Sequence, residues 1–172
     1  IFNEKIIKTF FKIKLDTDPC YLMKSIKNNI EIKNMIDAHV KDGVALTQFI
    51  HWMKEVNKNK ITEIDAKNKL EKFRKKNKDY IFPSFETISG TGSNGAIVHY
   101  RVNKKTNKTI NKNHIFLCDS GGQYKYGTTD VTRTLCFAKQ KKSIKNKYTM
   151  VLKGHISVAN TNLKNFNIGK EI

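Results

Sequence analysis

The sequence predicts an α+β fold in which an antiparallel sheet is flanked by helices. Two apolar, β-prone runs at 115–118 and 131–137 enclose a polar segment rich in Gly and Thr, which is typical of two strands joined by a turn. Apolar residues recur at helical spacing over about 22–56. A capping-box pattern at 62–65 then predicts a second helix that extends to about Lys76.

Two aspartates lie at the inner ends of the predicted strand pair. Asp119 ends the first run, and Asp130 opens the second, 11 residues later. A chain reversal near 124–125 would place them nearly opposite each other, where like charges destabilise a strand pair. Either one carboxylate takes up a proton or a divalent cation lies between them, and carboxylate oxygens favour the cation. The alternative is that both are ordinary turn residues, since Asp commonly begins and ends hairpin loops.

A glycine-rich segment at 89–95 is interpreted as a loop that leads into a short strand over 96–102. It lacks the Gly-Lys-Ser/Thr ending of a phosphate-binding loop and precedes a strand rather than a helix, which excludes that function. His99 lies on the predicted strand. By itself, a single histidine in a strand is more often structural than functional.

The chain is strongly basic, with a formal net charge of +18. Such a charge indicates a polyanionic partner, either nucleic acid or an anionic membrane surface. However, 30 of the 33 basic residues are Lys and only 3 are Arg, whereas specific phosphate and base recognition favours arginine forks. The Lys, Asn and Ile excess is typical of an AT-rich genome. We therefore expect no specific nucleic-acid partner and no membrane partner.

Cysteine usage and hydropathy predict a cytoplasmic protein. Cys20, Cys118 and Cys136 are an odd number at no metal-binding spacing, and we interpret all three as reduced. Cys118 and Cys136 lie within the predicted strands, where we expect them to be buried. The sequence contains no apolar run of transmembrane length and no signal-peptide pattern.

The chain is long enough, at 172 residues, for one domain with its own core. It begins with Ile1 rather than Met, which indicates a fragment of a longer protein. Residues 1–20 are interpreted as a linker or the tail of a preceding domain, and residues 21–172 as one domain. A last helix is predicted over 143–163, with Ser143 as its N-cap.

The sequence contains, in this order, the segments ISG (88–90), GAIVHY (95–100), DSG (119–121) and GTTDVTRT (127–134). It also contains AHVKDG (38–43) and LKGHI (152–156). Together these segments resemble the Xaa-Pro aminopeptidases (aminopeptidase P), metallopeptidases with the pita-bread fold. The resemblance spans nearly the whole chain and implies that residues 21–172 form the N-terminal half of a pita-bread catalytic domain.

By this resemblance, Asp119 and Asp130 match the first two of five ligands of a site that holds two divalent metal ions, usually Mn²⁺. Asp119 would hold one ion and Asp130 would bridge both. His99 matches the active-site histidine of the family, which contacts the substrate and helps to stabilise the tetrahedral intermediate. Paired ions lower the pKa of a bridging water and polarise the scissile carbonyl. The implied substrate is a peptide with proline second, from which the N-terminal residue is released.

The remaining ligands of the family, one His and two Glu, belong to the second half of the fold, and this sequence does not match them. Because two carboxylates cannot hold a pair of ions tightly, we expect the chain alone to be inactive. We also expect half a pita-bread fold to leave an apolar sheet face uncovered. A complementing C-terminal half is then the expected partner, together with the peptide substrate.

Two other functions remain as alternatives. The first is a non-enzymatic pita-bread protein that binds peptides, histones or RNA. Since such relatives usually lose the metal ligands, the presence of Asp119 and Asp130 counts against it. The second is a basic nucleic-acid-binding protein, which rests on the net charge alone.

Overall fold

The computed structural model describes residues 17–162 and 164, so most of the predicted linker at 1–20 lies outside the described residues. The helices in the described part are α1 (Pro19–Ser25), α2 (Asn29–Glu55), α3 (Glu63–Arg74) and α4 (Lys142–Ala159). The strands are β1 (Tyr80–Pro83), β2 (Ile88–Thr91), β3 (Phe116–Ser120), β4 (Gly122–Tyr124), β5 (Gly127–Thr128) and β6 (Val131–Leu135). Short 3₁₀ turns cover Lys58–Lys60 and Gly92–Ala96. None of the described helices has the length and apolar character needed to cross a membrane.

The strands form two antiparallel sheets of three strands each, in the orders β1-β4-β5 and β2-β3-β6. This arrangement confirms the predicted α+β class. The predicted hairpin is also confirmed, because β3 pairs with β6 and the chain reverses between Tyr124 and Gly127. Within this hairpin, β3 and β6 belong to one sheet, and β4 and β5, nearer the turn, belong to the other. The two sheets therefore meet next to the ends of β3 and β6.

Helix boundaries follow the local capping residues. The side chain of Asn28 accepts hydrogen bonds from the N–H groups of Ile30 and Glu31, at 2.9 and 3.0 Å, and starts α2 there. The predicted single helix over about 22–56 is therefore wrong in its continuity, because residues 22–25 belong to α1 and the chain is extended at Ile26 before α2 begins. The capping box that starts α3 at Thr62 is confirmed.

The predicted cap of the last helix is wrong. Lys141 is the N-cap of α4, and no side chain forms a capping hydrogen bond there. Ser143 instead lies inside the first turn of the helix.

The core lies between the helices and the β2-β3-β6 sheet. Helix α2 contributes Phe49 and Met53, α3 contributes Leu70, and β3 contributes Phe116 and Cys118, all of them at most 1% exposed. Burial of a large apolar side chain stabilises a fold by roughly 1.5–3 kcal/mol. This packing holds β3, the strand that ends in Asp119 and Ser120, against both helices.

Apolar surface is left uncovered, as expected, but mainly on helices rather than on a sheet face. The exposed positions follow helical spacing on α2 and α4 and are between 44% and 73% exposed: Ile32, Ile36, Val40, Val44, Tyr148, Val151, Leu152 and Ile156. The periodicity therefore identified real amphipathic faces. The periodicity did not predict that these faces would stay exposed among the described residues.

The three cysteines are free and differ in exposure. Cys118 is 1% exposed, and burial raises the pKa of its thiol to about 12. Cys20 and Cys136 are exposed. The predicted burial of Cys136 is therefore wrong, because this residue follows the last residue of β6 instead of lying within the strand.

This difference predicts two classes of thiol. In the folded protein at about pH 8, an aromatic disulfide reagent should react rapidly with Cys20 and Cys136, and at least about a hundredfold more slowly with Cys118, because only the thiolate is nucleophilic. Unfolding in urea should make all three react. The variant Cys118→Ala should lower the number of reactive thiols only in urea. Rapid reaction of three thiols in the folded protein would contradict the prediction.

Candidate metal centre

Asp119 lies at the end of β3, where the strand passes from the core to the surface. It is half-buried and pairs across the ladder with Thr132 of β6. The Thr132 hydroxyl donates a hydrogen bond of 2.6 Å to Asp119 Oδ1. One carboxylate oxygen is thus oriented by the neighbouring strand, which is how ligating carboxylates are commonly held in metal sites.

Asp130 is exposed and directly precedes β6. The predicted position opposite Asp119 is wrong by two residues, because the turn is centred on Lys125 and Tyr126, one residue later than expected, and Thr132 takes the opposite position. Asp130 is instead offset diagonally from Asp119 in the register. In a regular antiparallel pair such diagonal neighbours lie roughly 7–8 Å apart.

Gly121 and Ser84 tie together the chain segments that carry the two aspartates. The Ser84 hydroxyl donates to the Thr129 carbonyl at 2.8 Å, and the Ser84 N–H donates to the Gly121 carbonyl at 3.2 Å. A Cβ at Gly121 would lie only 1.9 Å from the Thr129 carbonyl oxygen. Only glycine allows this approach, which brings the residue before Asp130 next to the end of β3.

His99 does not lie on a strand, so the predicted strand over 96–102 is wrong. The chain forms the 3₁₀ turn Gly92–Ala96 and then a further turn, in which His99 is exposed and has a φ of +52°. The turn folds back on β2, since a Cβ at Gly90 would lie 2.9 Å from Gly95 Cα. This close backbone contact prevents the apolar residues before His99 from extending into the sheet.

His99 and Asp119 line the same open cleft, which has a volume of about 270 Å³. Thr132, Leu117 and the turn at 95–98 also line it. The structure thus brings two of the three predicted site residues into one cleft and places Asp130 nearby in the register. Within the described ranges, no group of three or more His, Cys, Asp and Glu side chains could hold a metal ion. The two aspartates therefore fit divalent ions by oxygen chemistry but not by ligand number.

A buried polar cluster below the site was not predicted from the sequence. Arg74 of α3 donates to both carboxylate oxygens of Asp42, through Nε at 2.6 Å and Nη2 at 3.0 Å. Its Nη2 also donates to the Ser120 hydroxyl at 3.1 Å, and the Tyr124 hydroxyl donates to Asp42 at 2.9 Å. Because Ser120 follows Asp119, this cluster fixes the end of β3. The only local signal was the position of Asp42 within an otherwise apolar helix pattern.

Sequence comparison places these features among known proteins. The profile of metallopeptidase family M24 matches residues 33–172. The Xaa-Pro aminopeptidase ApepP of Drosophila melanogaster is 46% identical over 148 residues, which cover 85% of this chain and 24% of that protein. A probable Xaa-Pro aminopeptidase P of Podospora anserina is 48% identical over 138 residues, which cover 78% of this chain and 20% of that protein. The chain thus spans a quarter or less of the length of these relatives.

Solved structures agree with the sequence matches. An X-prolyl aminopeptidase from Caenorhabditis elegans, described as a cytosolic enzyme with a di-nuclear active site, superposes with a TM-score of 0.78 at 35% identity. The match covers 83% of this chain and 24% of that one. A Xaa-Pro dipeptidase from Bacillus anthracis gives a TM-score of 0.69 at 25% identity over 78% of this chain and 36% of its own. The predicted resemblance and pita-bread type of fold are confirmed, and the chain belongs to metallopeptidase family M24.

Proposed function

We propose that this chain is part of a metal-dependent Xaa-Pro aminopeptidase, which hydrolyses the N-terminal residue from peptides with proline second. The observation that carries this proposal is the cleft shared by His99 and Asp119, with Asp130 offset diagonally beside it. The names of the relatives from Drosophila melanogaster and Caenorhabditis elegans support the substrate class. The Caenorhabditis elegans relative, described as a cytosolic enzyme, and the three free thiols of this chain support a cytoplasmic location.

Asp119 and Asp130 are the residues that would hold two divalent ions, which we propose to be Mn²⁺. When bound, such ions would supply Lewis-acid polarisation of a carbonyl and activation of water. The Thr132 hydroxyl donates to Asp119 Oδ1 at 2.6 Å and limits rotation of the carboxylate that would hold an ion.

His99 is the residue that would contact the peptide. It lines the cleft together with Asp119 and lies on an exposed turn. From there an imidazole N–H can donate a hydrogen bond to the substrate oxygen on which negative charge develops, and such preorganised donors lower the barrier to acyl transfer. The exposed side chains of Ile97 and Val98 adjoin it and offer apolar contact to a peptide.

Further protein ligands are needed for activity. A tightly held ion in a peptidase site has about three protein ligands, and the described residues offer two carboxylates. We therefore propose that a complementing segment contributes one His and two Glu, and that the chain as printed is inactive without it. The exposed apolar faces of α2 and α4 are the surfaces such a segment would cover.

The test compares two peptides that differ only in the second residue, Pro or Ala, with the complete gene product that contains this chain. We expect Mn²⁺-dependent release of the N-terminal residue from the proline peptide only. A chelator should abolish this release, and added Mn²⁺ should restore it, because the water and the scissile carbonyl are no longer activated when the ions are removed. Equal cleavage of both peptides, or full activity in excess chelator, would refute the proposal.

A further inference from the structure

Glu63 is a fully buried carboxylate at the start of α3, remote from the predicted metal ligands in the sequence. Its Oε1 accepts hydrogen bonds from the Thr91 N–H at 2.7 Å and from Asn94 Nδ2 at 3.1 Å. Its Oε2 accepts from the Tyr100 hydroxyl at 2.9 Å and from the Lys108 N–H at 3.1 Å, and again from Asn94 Nδ2 at 3.0 Å. Both oxygens are thus occupied by donors.

The donors that surround Glu63 lie on both sides of His99 in the chain. Asn94 belongs to the 3₁₀ turn that precedes His99, and Tyr100 directly follows it. Tyr100 is 5% exposed, whereas His99 is exposed to solvent. The carboxylate therefore accepts hydrogen bonds from both ends of the turn in which His99 lines the cleft.

Other hydrogen bonds also hold this turn. Asn94 Nδ2 and the Tyr100 hydroxyl donate to the Thr106 carbonyl at 3.0 and 3.1 Å. Two backbone hydrogen bonds lie within the turn, from the Ile97 N–H to the Asn94 carbonyl and from the Tyr100 N–H to the Ile97 carbonyl, each 3.2 Å long. The left-handed backbone of His99, with φ of +52°, carries a cost that the surrounding structure must offset. Hydrogen bonds to a charged acceptor are stronger than neutral ones, so each contact with Glu63 holds the turn more strongly than a contact with the Thr106 carbonyl.

The main chain of Glu63 is itself held in place. Its carbonyl accepts a hydrogen bond of 2.8 Å from the Ser89 hydroxyl, and its N–H donates to the Lys108 carbonyl at 3.0 Å. None of the ion pairs in the described part of the chain involves Glu63. The negative charge is instead stabilised by these donors and by the N-terminal end of α3.

We infer that Glu63 is a positioning residue of the peptidase, which fixes the His99 turn at the distance from Asp119 that the reaction requires. This inference rests on the proposed function, because it assigns the purpose of the anchor to the reaction that His99 would assist. Glu63 is not one of the described residues that line the cleft. It acts through its hydrogen bonds with Asn94 and Tyr100.

The first readout is amide hydrogen exchange of the segment 89–108, measured in the complete gene product. Glu63→Gln keeps the shape but turns an NH₂ group toward donors, and Tyr100→Phe removes one hydroxyl while leaving the helix end intact. We expect exchange in this segment to become about tenfold faster or more in Glu63→Gln, with a smaller effect in Tyr100→Phe. The control Glu71→Gln makes the same change on the same helix, where the carboxylate accepts a 2.6 Å hydrogen bond from Tyr80 instead.

The second readout is kcat/KM on the proline peptide. Glu63→Gln should lower it by about tenfold to a hundredfold, mainly through kcat, because a displaced histidine no longer meets the developing charge. Glu71→Gln should leave it unchanged. The double variant Glu63→Gln/His99→Ala should be no slower than His99→Ala alone, since the effect of Glu63 passes through His99.

The outcomes separate the two claims. If His99→Ala is fully active, the proposed role of His99 is wrong, irrespective of the exchange data. If His99→Ala is impaired but the losses from Glu63→Gln and His99→Ala multiply, Glu63 supports the fold only and the inference is overturned. Unchanged amide exchange at 89–108 in both Glu63→Gln and Tyr100→Phe also overturns the inference. If Glu63→Gln does not fold, Tyr100→Phe decides by the same two measurements.

Discussion

Replacing Asp119 or Asp130 by Asn is expected to lower the kcat of the complete enzyme by about a thousandfold or more. The amide has the same size as the carboxylate but lacks the negative charge and one of the oxygens that bind a divalent ion. The expected loss is larger for either aspartate than for the Thr132 hydroxyl, which only orients the Asp119 carboxylate. Metal content per chain, measured by elemental analysis, should fall together with the activity.

The matched control is Asp37→Asn, an exposed carboxylate on α2 that pairs with Lys41. This variant should retain the metal and the activity, because surface ion pairs contribute little and Asp37 does not line the cleft. Full activity in both Asp119→Asn and Asp130→Asn would reject the metal assignment. Loss of activity with unchanged metal content would move these residues from ligand to another catalytic role.

Replacing Arg74 by Met is expected to lower the free energy of unfolding by about 3–5 kcal/mol. Arg74 is fully buried, and its removal leaves the Asp42 carboxylate, which is 1% exposed, without its cationic partner. A buried charge that has lost its partner is costly, whereas the intact pair contributes much less than that. Urea unfolding followed by circular dichroism measures the change.

Two variants show whether the charge or the packing causes this loss. Lys41→Met removes a partly exposed cation that pairs with Asp37 and Asp79, and it should lower the free energy of unfolding far less than Arg74→Met does. The double variant Arg74→Met/Asp42→Leu should recover part of the loss, because no unpaired charge stays buried. An Arg74→Met cost no greater than that of Lys41→Met would show that the buried pair is not important for stability.

The features predicted correctly from the sequence are local ones. The capping box at Thr62 depends on residues three positions apart, and the hairpin depends on two β-prone runs around a polar turn. The position of Asp119 at the end of its strand follows from the same run. In each case the interacting groups are neighbours in the chain, so the order of residue types was sufficient.

Two errors arose from close backbone contacts and turn positions that residue types alone do not define. The β-prone residues before His99 form a turn, because the backbone contact between Gly90 and Gly95 folds the chain back on β2. The partner of Asp119 is Thr132, because the turn is centred one residue later than the pattern indicated. Neither the contact nor the exact turn position has a signature in composition or periodicity.

By itself, the sequence determined that the chain is an α+β protein with two aspartates at the base of a hairpin, since periodicity and capping act over a few residues. Only the tertiary structure decided which polar side chains are buried and what they hold. Arg74, Asp42 and Glu63 are charged residues on helices, and their types alone predict solvent-exposed positions. They are buried because partners 28 to 82 residues away supply the hydrogen bonds that replace water, and such pairing is defined only when the whole chain has folded.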